Sequence, residues 1–225
     1  MYEEKIKFEV TGIQHAAREE QLKNFMFHLS RYMDYPIVIP TPSNWLDAFI
    51  LLIAYLEKIQ TKEKMVVFLD ELSWLATPNS GFLRALGFFW NSWAVKQNIV
   101  VVICGSAASW MIKRVVNHKG GLHNRITQRI FLQPFTLLET QEYLKSKRVN
   151  FTLQQLVELY MAIGGIPHYL KEVEAGLGVV QNIDKLCFSV NGVLRDEFSR
   201  LYPSLFENSE RHEAIVRALG KHTKE

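Results

Sequence analysis

With 225 residues, 48% of them hydrophobic, the chain is long enough to bury one good core and to carry a smaller second one. Its 26 basic and 23 acidic side chains leave a formal charge of +3, too small and too dispersed to argue for a nucleic-acid or anionic-membrane partner. The two cysteines, Cys104 and Cys187, lie far apart, match no CxxC or metal-ligand spacing, and fit a reducing, cytoplasmic setting.

The opening residues, MYEEKIKFEV, lack the charged-then-apolar order of a secretory leader. Lys5–Val10 reads as a strand. From Ala16 to Arg31 and from Trp45 to Ile59 apolar residues recur at helical spacing, with Ser43 as the expected N-cap of the second helix. The most apolar run, Ala48 to Leu56, is bracketed by Asp47 and Glu57 and falls short of the ~20 residues needed to span a bilayer, so it reads as a buried helix and no membrane partner is expected. Lys64–Asp70 is the second predicted strand. Asn79 to Lys96 returns to helical spacing and carries Phe82, Phe88, Phe89, Trp90 and Trp93. Ile99–Cys104 and Arg129–Leu132 are the third and fourth predicted strands, with Ala107–Val115 helical between them. Strands alternating with longer helices predict an α/β unit with a mostly parallel sheet.

Beyond Pro134 only helical patterns remain, at Leu137–Lys147, Leu153–Ile163, Tyr169–Glu174, Gln181–Phe188, Val193–Tyr202 and Arg211–Leu219. Linkers are expected around Gln133–Phe135 and Pro203–Ser209, and no internal repeat or low-complexity stretch interrupts the chain.

Four local patterns bear on chemistry. Met65 to Leu69 is a buried-strand run that ends abruptly in Asp70 and Glu71. In P-loop ATPases such an ending is the Walker B pattern, whose first acid holds magnesium and whose second polarises the attacking water. The plainer reading has these acids capping a helix at Ser73–Leu75 or facing water. Some thirty residues on, Ile99 to Cys104 ends in Gly105-Ser106. A small polar residue there can bond the γ-phosphate or the attacking water, the role called sensor 1, or it can serve as a helix N-cap. Gly120-Gly121-Leu122-His123-Asn124-Arg125 offers an arginine able to reach a phosphate bidentately, where an exposed structural arginine is the alternative. Ala162-Ile163-Gly164-Gly165-Ile166-Pro167-His168-Tyr169-Leu170 breaks one helix and starts the next. It is either a plain corner or a place where backbone approaches a ligand closely.

Taken in order, these patterns resemble the archaeal-type ATPase family of the STAND branch of AAA+ proteins, found in archaea and bacteria and often followed by a winged-helix domain. The resemblance runs through FEVTG, VVFLDELSWL, VVVICGSAASWM, GLHNR, LQPFTLLE and AIGGIPHYL, and the last helix looks like the opening of the winged-helix domain. It implies an α/β fold that is a partial P-loop NTPase (AAA+-like) parallel sheet with helices, followed by a helical lid domain. Residues 1–134 would be the core, 135–205 the lid and 206–225 the start of the winged helix. It also implies ATP and Mg2+ as ligands, with Asp70 the magnesium ligand, Glu71 the catalytic base, Ser106 sensor 1, Arg125 the conserved arginine, and Gly164, Gly165 and Pro167 the lid turn over the nucleotide.

One part of the pattern is missing. The phosphate-binding loop G-x-x-x-x-G-K-[ST] does not occur; Gly220-Lys221-His222-Thr223 lacks the upstream glycine and follows a helix. In the usual AAA+ strand order, 5-1-4-3-2, the loop's strand lies mid-sheet, so the sequence is expected to be a fragment of such a switch with impaired ATP binding. The alternative is a non-enzymatic module that binds a protein partner or itself, docking through its helical domain and the aromatic stripe Phe82–Trp93. DNA contact would need the rest of a winged helix beyond residue 225.

Overall fold

β-branched and aliphatic residues that alternate in burial build three short strands, β1 (Ile6–Thr11), β2 (Met65–Asp70) and β3 (Ile99–Ile103). In the computed structural model, which describes residues 3–34, 40–59, 61–106, 108–117, 120–122, 124–197 and 209–222, they form one parallel sheet in the order β1-β2-β3. The chain divides into two units, Met1–Arg129 and Ile130–Glu225.

In the first unit one sheet face is dry. Phe8, Val10, Val67 and Leu69 are fully buried within a core that includes residues of α1 (Arg18–Tyr32) and α2 (Trp45–Lys58). Phe25 lies 4.7 Å from Phe8 between ring centroids, and Trp45 meets Phe82 edge-on at 4.6 Å. Each such fully buried side chain contributes roughly 1.5–3 kcal/mol, so the aromatic cluster is a main source of this unit's stability. The other face is more open: Val100 is 38% and Val102 37% exposed.

Helix α2 is capped by Asn44 and not by Ser43. Asn44 is extended at φ −150° and its side chain accepts the Asp47 N–H at 3.0 Å, because only the residue just before the first turn reaches the third helical N–H. A short α3 (Leu72–Leu75) follows β2. The helix expected from Asn79 starts late, as α4 (Phe82–Phe88), since Asn79 at φ 57° and Gly81 at φ 80° hold the chain in left-handed turns. It runs on through a π-helical turn at Phe89–Trp93 and a 3-10 turn at Ala94–Lys96. Phe82 and Phe89 point into the core, so most of the aromatic stripe is packing surface. α5 (Ala108–Met111) continues into a second π-helical turn at Ile112–Val116.

No strand forms at Arg129–Leu132. Ile130, Phe131 and Leu132 are 75%, 71% and 87% exposed and belong to no element. A strand is stable only against a neighbour that takes up its backbone groups, and none of the three described strands does so.

The second unit is helical among its described residues: α6 (Leu137–Ser146), α7 (Leu153–Ile163), α8 (Pro167–Leu170), α9 (Val179–Ile183), a π-helical turn at Asp184–Phe188, and α10 (Ser209–His222). Thr136 with Glu139, and Thr152 with Gln155, close reciprocal capping boxes that fix where α6 and α7 begin. The predicted Tyr169–Glu174 helix starts two residues earlier, at Pro167, whose fixed φ and missing N–H suit a first turn. Leu144, Leu156, Leu159, Leu170, Val173 and Leu186 make the core. The helix expected over Val193–Tyr202 shows turns at 193–196, and its part from 198 onward lies outside the described residues. No helix among the described residues is long and apolar enough to cross a membrane.

Candidate functional site

Parallel strands all end at the same edge of a sheet, and that edge is where open α/β sheets hold ligands. Thr11, the last residue of β1, lies in register with Asp70, the last residue of β2. Past β3, the Cys104 N–H donates to the Leu69 carbonyl at 2.9 Å, and the Cys104 carbonyl accepts the Leu72 N–H at 2.8 Å. These bonds gather Thr11, Asp70, Glu71, Cys104 and Ser106 at one edge.

Glu71 sits in left-handed backbone, φ 47° and ψ 53°. Such a conformation costs a non-glycine residue of order 1–3 kcal/mol and persists only where the surroundings enforce it. Here the Trp74 N–H bonds the Glu71 carbonyl at 2.9 Å, and Gly12, whose N–H donates to the Asp70 carbonyl at 3.0 Å, presses against the same turn. A β-carbon on Gly12 would stand 2.7 Å from the Glu71 carbonyl oxygen, so only glycine fits. The turn aims the Glu71 carboxylate at Ser106, whose N–H and hydroxyl donate to Glu71 Oε2 at 3.3 and 3.1 Å. Glu71 makes no side-chain cap on α3, so the capping half of the plainer reading does not hold for that acid, while its bonds to Ser106 are exposed to water.

Asp70 is more open. The Thr11 hydroxyl donates to Asp70 Oδ2 at 3.4 Å. Burial first, then the hydrogen bond to Asp70 and the charges of Asp70 and Glu71, push the Cys104 thiol up, so it faces Asp70 as a neutral S–H. Thr11 and Cys104 were not singled out from sequence for this edge; the available signal was that Cys104 ends the expected strand Ile99–Cys104 and Thr11 directly follows the expected strand Lys5–Val10.

A hard divalent cation suits this edge. Magnesium takes one or two carboxylates and fills its remaining positions with water and phosphate oxygens, and Asp70 keeps lone pairs free for it. Among the described residues no group of three or more His, Cys, Asp and Glu forms an all-protein cage. The phosphate end of ATP fits less well, since the 225 residues contain no glycine-rich loop of N–H groups with its lysine.

Arg125 stands on a different loop. Its N–H closes a turn onto the Leu122 carbonyl at 3.0 Å, Asn124 is left-handed at φ 56°, and the arginine is exposed. Asn91, which sequence reasoning missed, fixes this loop: its side-chain amide donates to the Gly87 and Gly121 carbonyls, each at 2.7 Å. A β-carbon on Gly87 would come within 3.2 Å of the Gly121 α-carbon, so loop and α4 meet backbone to backbone. His123 lies outside the described residues.

Gly164, Gly165 and Pro167 belong to the second unit. Gly164 ends α7 at φ 67° and ψ −172°, and Pro167 opens α8. Gly165 is packed onto the Phe135 peptide: the Phe135 N–H donates to the Gly165 carbonyl at 2.7 Å, and a β-carbon on Gly165 would overlap the Phe135 oxygen at 1.9 Å. Tyr160 donates its hydroxyl to that same Phe135 oxygen at 2.8 Å. In this unit the paired glycines tie the Ile163–Pro167 corner to the segment entering α6.

The α/β fold with its three-stranded parallel sheet matches that of a Walker-type ATPase. A solved structure of that class, the Walker-type ATPase PABY2304 of Pyrococcus abyssi, superposes with a TM-score of 0.54 at 14% identity, over 95% of this chain and 65% of that one. Residues 3–173 match the family described as an ATPase domain predominantly from Archaea, and the chain belongs to that family. An uncharacterized protein of Methanocaldococcus jannaschii is 27% identical over 164 residues, 72% of this chain and 36% of the relative. The chain thus spans about a third of that relative's length and just under two thirds of the solved ATPase's.

Proposed function

We propose that this chain is the nucleotide-responsive module of a STAND-type switch, in which Asp70 holds the magnesium of Mg-ATP and Glu71 is the base that orients and deprotonates water. The observation that carries the reading is the pairing of Asp70 and Glu71 at the end of β2 with Ser106 just past the adjacent β3, joined through Ser106 and Glu71 Oε2. Magnesium, when bound, neutralises charge on the phosphate oxygens. Asp70 contributes a carboxylate to it, and Thr11 orients that carboxylate. Ser106 keeps Glu71 turned toward the strand edge. Arg125, in a loop pinned by Asn91, supplies a guanidinium for phosphate charge, and Gly164, Gly165 and Pro167 form the lid turn.

Because the 225 residues hold no phosphate-cradling loop, their own affinity for ATP is expected to be weak, millimolar rather than micromolar. The test is calorimetric titration of Mg-ATP into the wild-type chain and D70N, with and without magnesium. Weak binding that needs both magnesium and Asp70 supports the reading. Tight binding, or binding indifferent to Asp70, overturns this assignment of the site. The rival reading, a protein-docking module built on the aromatic stripe, loses its main support because Phe82 and Phe89 are buried.

A further inference from the structure

Beside the Asp70 edge, with Thr11 common to both, β1 and α1 line a cavity of about 430 Å3 formed by Glu9, Thr11, Phe27, His28, Arg31 and Tyr32. That volume falls within the ~300–1,000 Å3 of ordinary small-molecule sites. Two of its walls are anchored: Tyr32 packs its ring 5.9 Å from Phe8 in the core, and the Arg31 guanidinium lies 5.9 Å from the Phe27 ring centroid. Phe27 in turn meets the His28 ring edge-on at 5.6 Å.

The charges in this cavity are unusual. Glu9 and Arg31 both act on His28, Glu9 favouring its charged form and Arg31 opposing it, yet neither forms an ion pair with the other or with any described residue. Burial holds His28 below its usual range, so at neutral pH it offers one donor and one acceptor without adding charge. A purely anionic ligand would meet Glu9, and a purely cationic one would meet Arg31. A molecule carrying both charges answers both, with Phe27 and Tyr32 left to cover an apolar body.

We propose that this cavity binds a free α-amino acid with an apolar side chain, its ammonium on Glu9, its carboxylate on Arg31 and its side chain against Phe27 and Tyr32. The cavity shares Thr11 with the strand edge that carries the nucleotide reading, but the two charged groups it uses, Glu9 and Arg31, are not among the residues of that reading. It gives the first unit a second ligand, one recognised by charge at both ends.

The test uses L-leucine and L-phenylalanine as probes on the full chain, followed by amide NMR shifts, with phenethylamine and 3-phenylpropionate as the analogues that lack one charge each. Saturable shifts centred on Glu9, His28 and Arg31 are expected for at least one amino acid. Each analogue should bind about tenfold or more weakly than phenylalanine, as loss of one charged contact implies. E9Q and R31Q should each weaken amino-acid binding in the same way, and the analogue series on wild-type protein answers the question even if a variant folds poorly. Absence of saturable shifts with both amino acids overturns the proposal. So does an analogue that binds as tightly as phenylalanine, since the two-charge recognition would then be wrong.

Discussion

Ser106 spends both its backbone N–H and its hydroxyl on a single oxygen of Glu71, Oε2, at 3.3 and 3.1 Å. Both bonds run to one carboxylate oxygen, but they are exposed, so water competes for them. S106A is therefore expected to lower unfolding free energy by less than about 1 kcal/mol. E71Q keeps an accepting oxygen and should unfold within about 0.5 kcal/mol of wild type, while abolishing whatever ATP turnover the chain supports. Urea unfolding monitored by tryptophan fluorescence, beside phosphate release, separates the two. A large stability loss in E71Q would mean that the carboxylate is a structural tie rather than a chemical group.

Gly165 allows no side chain. An alanine there would drive its β-carbon into the Phe135 carbonyl, 1.9 Å away, and break the 2.7 Å bond that joins the corner to α6. Overpacking against backbone, which cannot swing aside as a side chain can, places the cost at about 3 kcal/mol. G165A should lower the urea midpoint of the second unit sharply and leave the first unit's aromatic fluorescence transition in place. A neutral G165A would show that the corner opens easily.

Lys147 ends α6 with its ammonium among the carbonyls of Leu170, Lys171 and Val173, at 3.4 Å from the first and 2.9 Å from the last. Carbonyls left over at the end of α8 need donors, and a cation there also complements the helix dipole. K147M keeps the aliphatic stem and removes the donors. It is expected to cost about 1.5–3 kcal/mol, the range for hydrogen bonds to a charged group, while K147R should recover part of the loss. Thermal unfolding of the three proteins checks the order.

The sequence made the first three strands and the acids at the end of β2 legible, because buried parallel strands are continuous apolar runs and carboxylates interrupt them visibly. Leu153–Ile163 was also readable to the residue, since Thr152 and Gln155 spell a capping box and Gly164 a stop. Arg129–Leu132 misled for a physical reason: strand propensity is a preference for a pleated, half-buried surface, and these residues have no neighbouring strand. Asn91 could not be read at all, and Cys104 only as the end of a strand-like run. Each matters through a partner distant in sequence, the Gly121 carbonyl for Asn91 and the Asp70 carboxylate for Cys104, and a one-dimensional pattern carries no trace of such pairs.

The second unit contains a group whose titration reports its folded packing. Tyr169 donates its hydroxyl to Glu197 Oε1 at 2.7 Å. Burial first, and then the hydrogen bond and charge of Glu197, push the phenol up to about 12. For an acid whose folded value exceeds its unfolded value of about 10, the folded state keeps the proton longer. The stabilisation is thus complete below pH about 10 and is lost as pH rises from there through about 12. Burial also raises Tyr32 and Tyr55, so ultraviolet titration of the tyrosines should show several late components, of which the one near 12 disappears in Y169F and moves down in E197Q, where the charge is gone. Alkaline unfolding should follow the same order, with Y169F losing less stability than wild type over that window and keeping the part that the raised Tyr32 and Tyr55 contribute. A Tyr169 that titrates with the bulk of the tyrosines would mean that the Glu197 contact does not hold in solution.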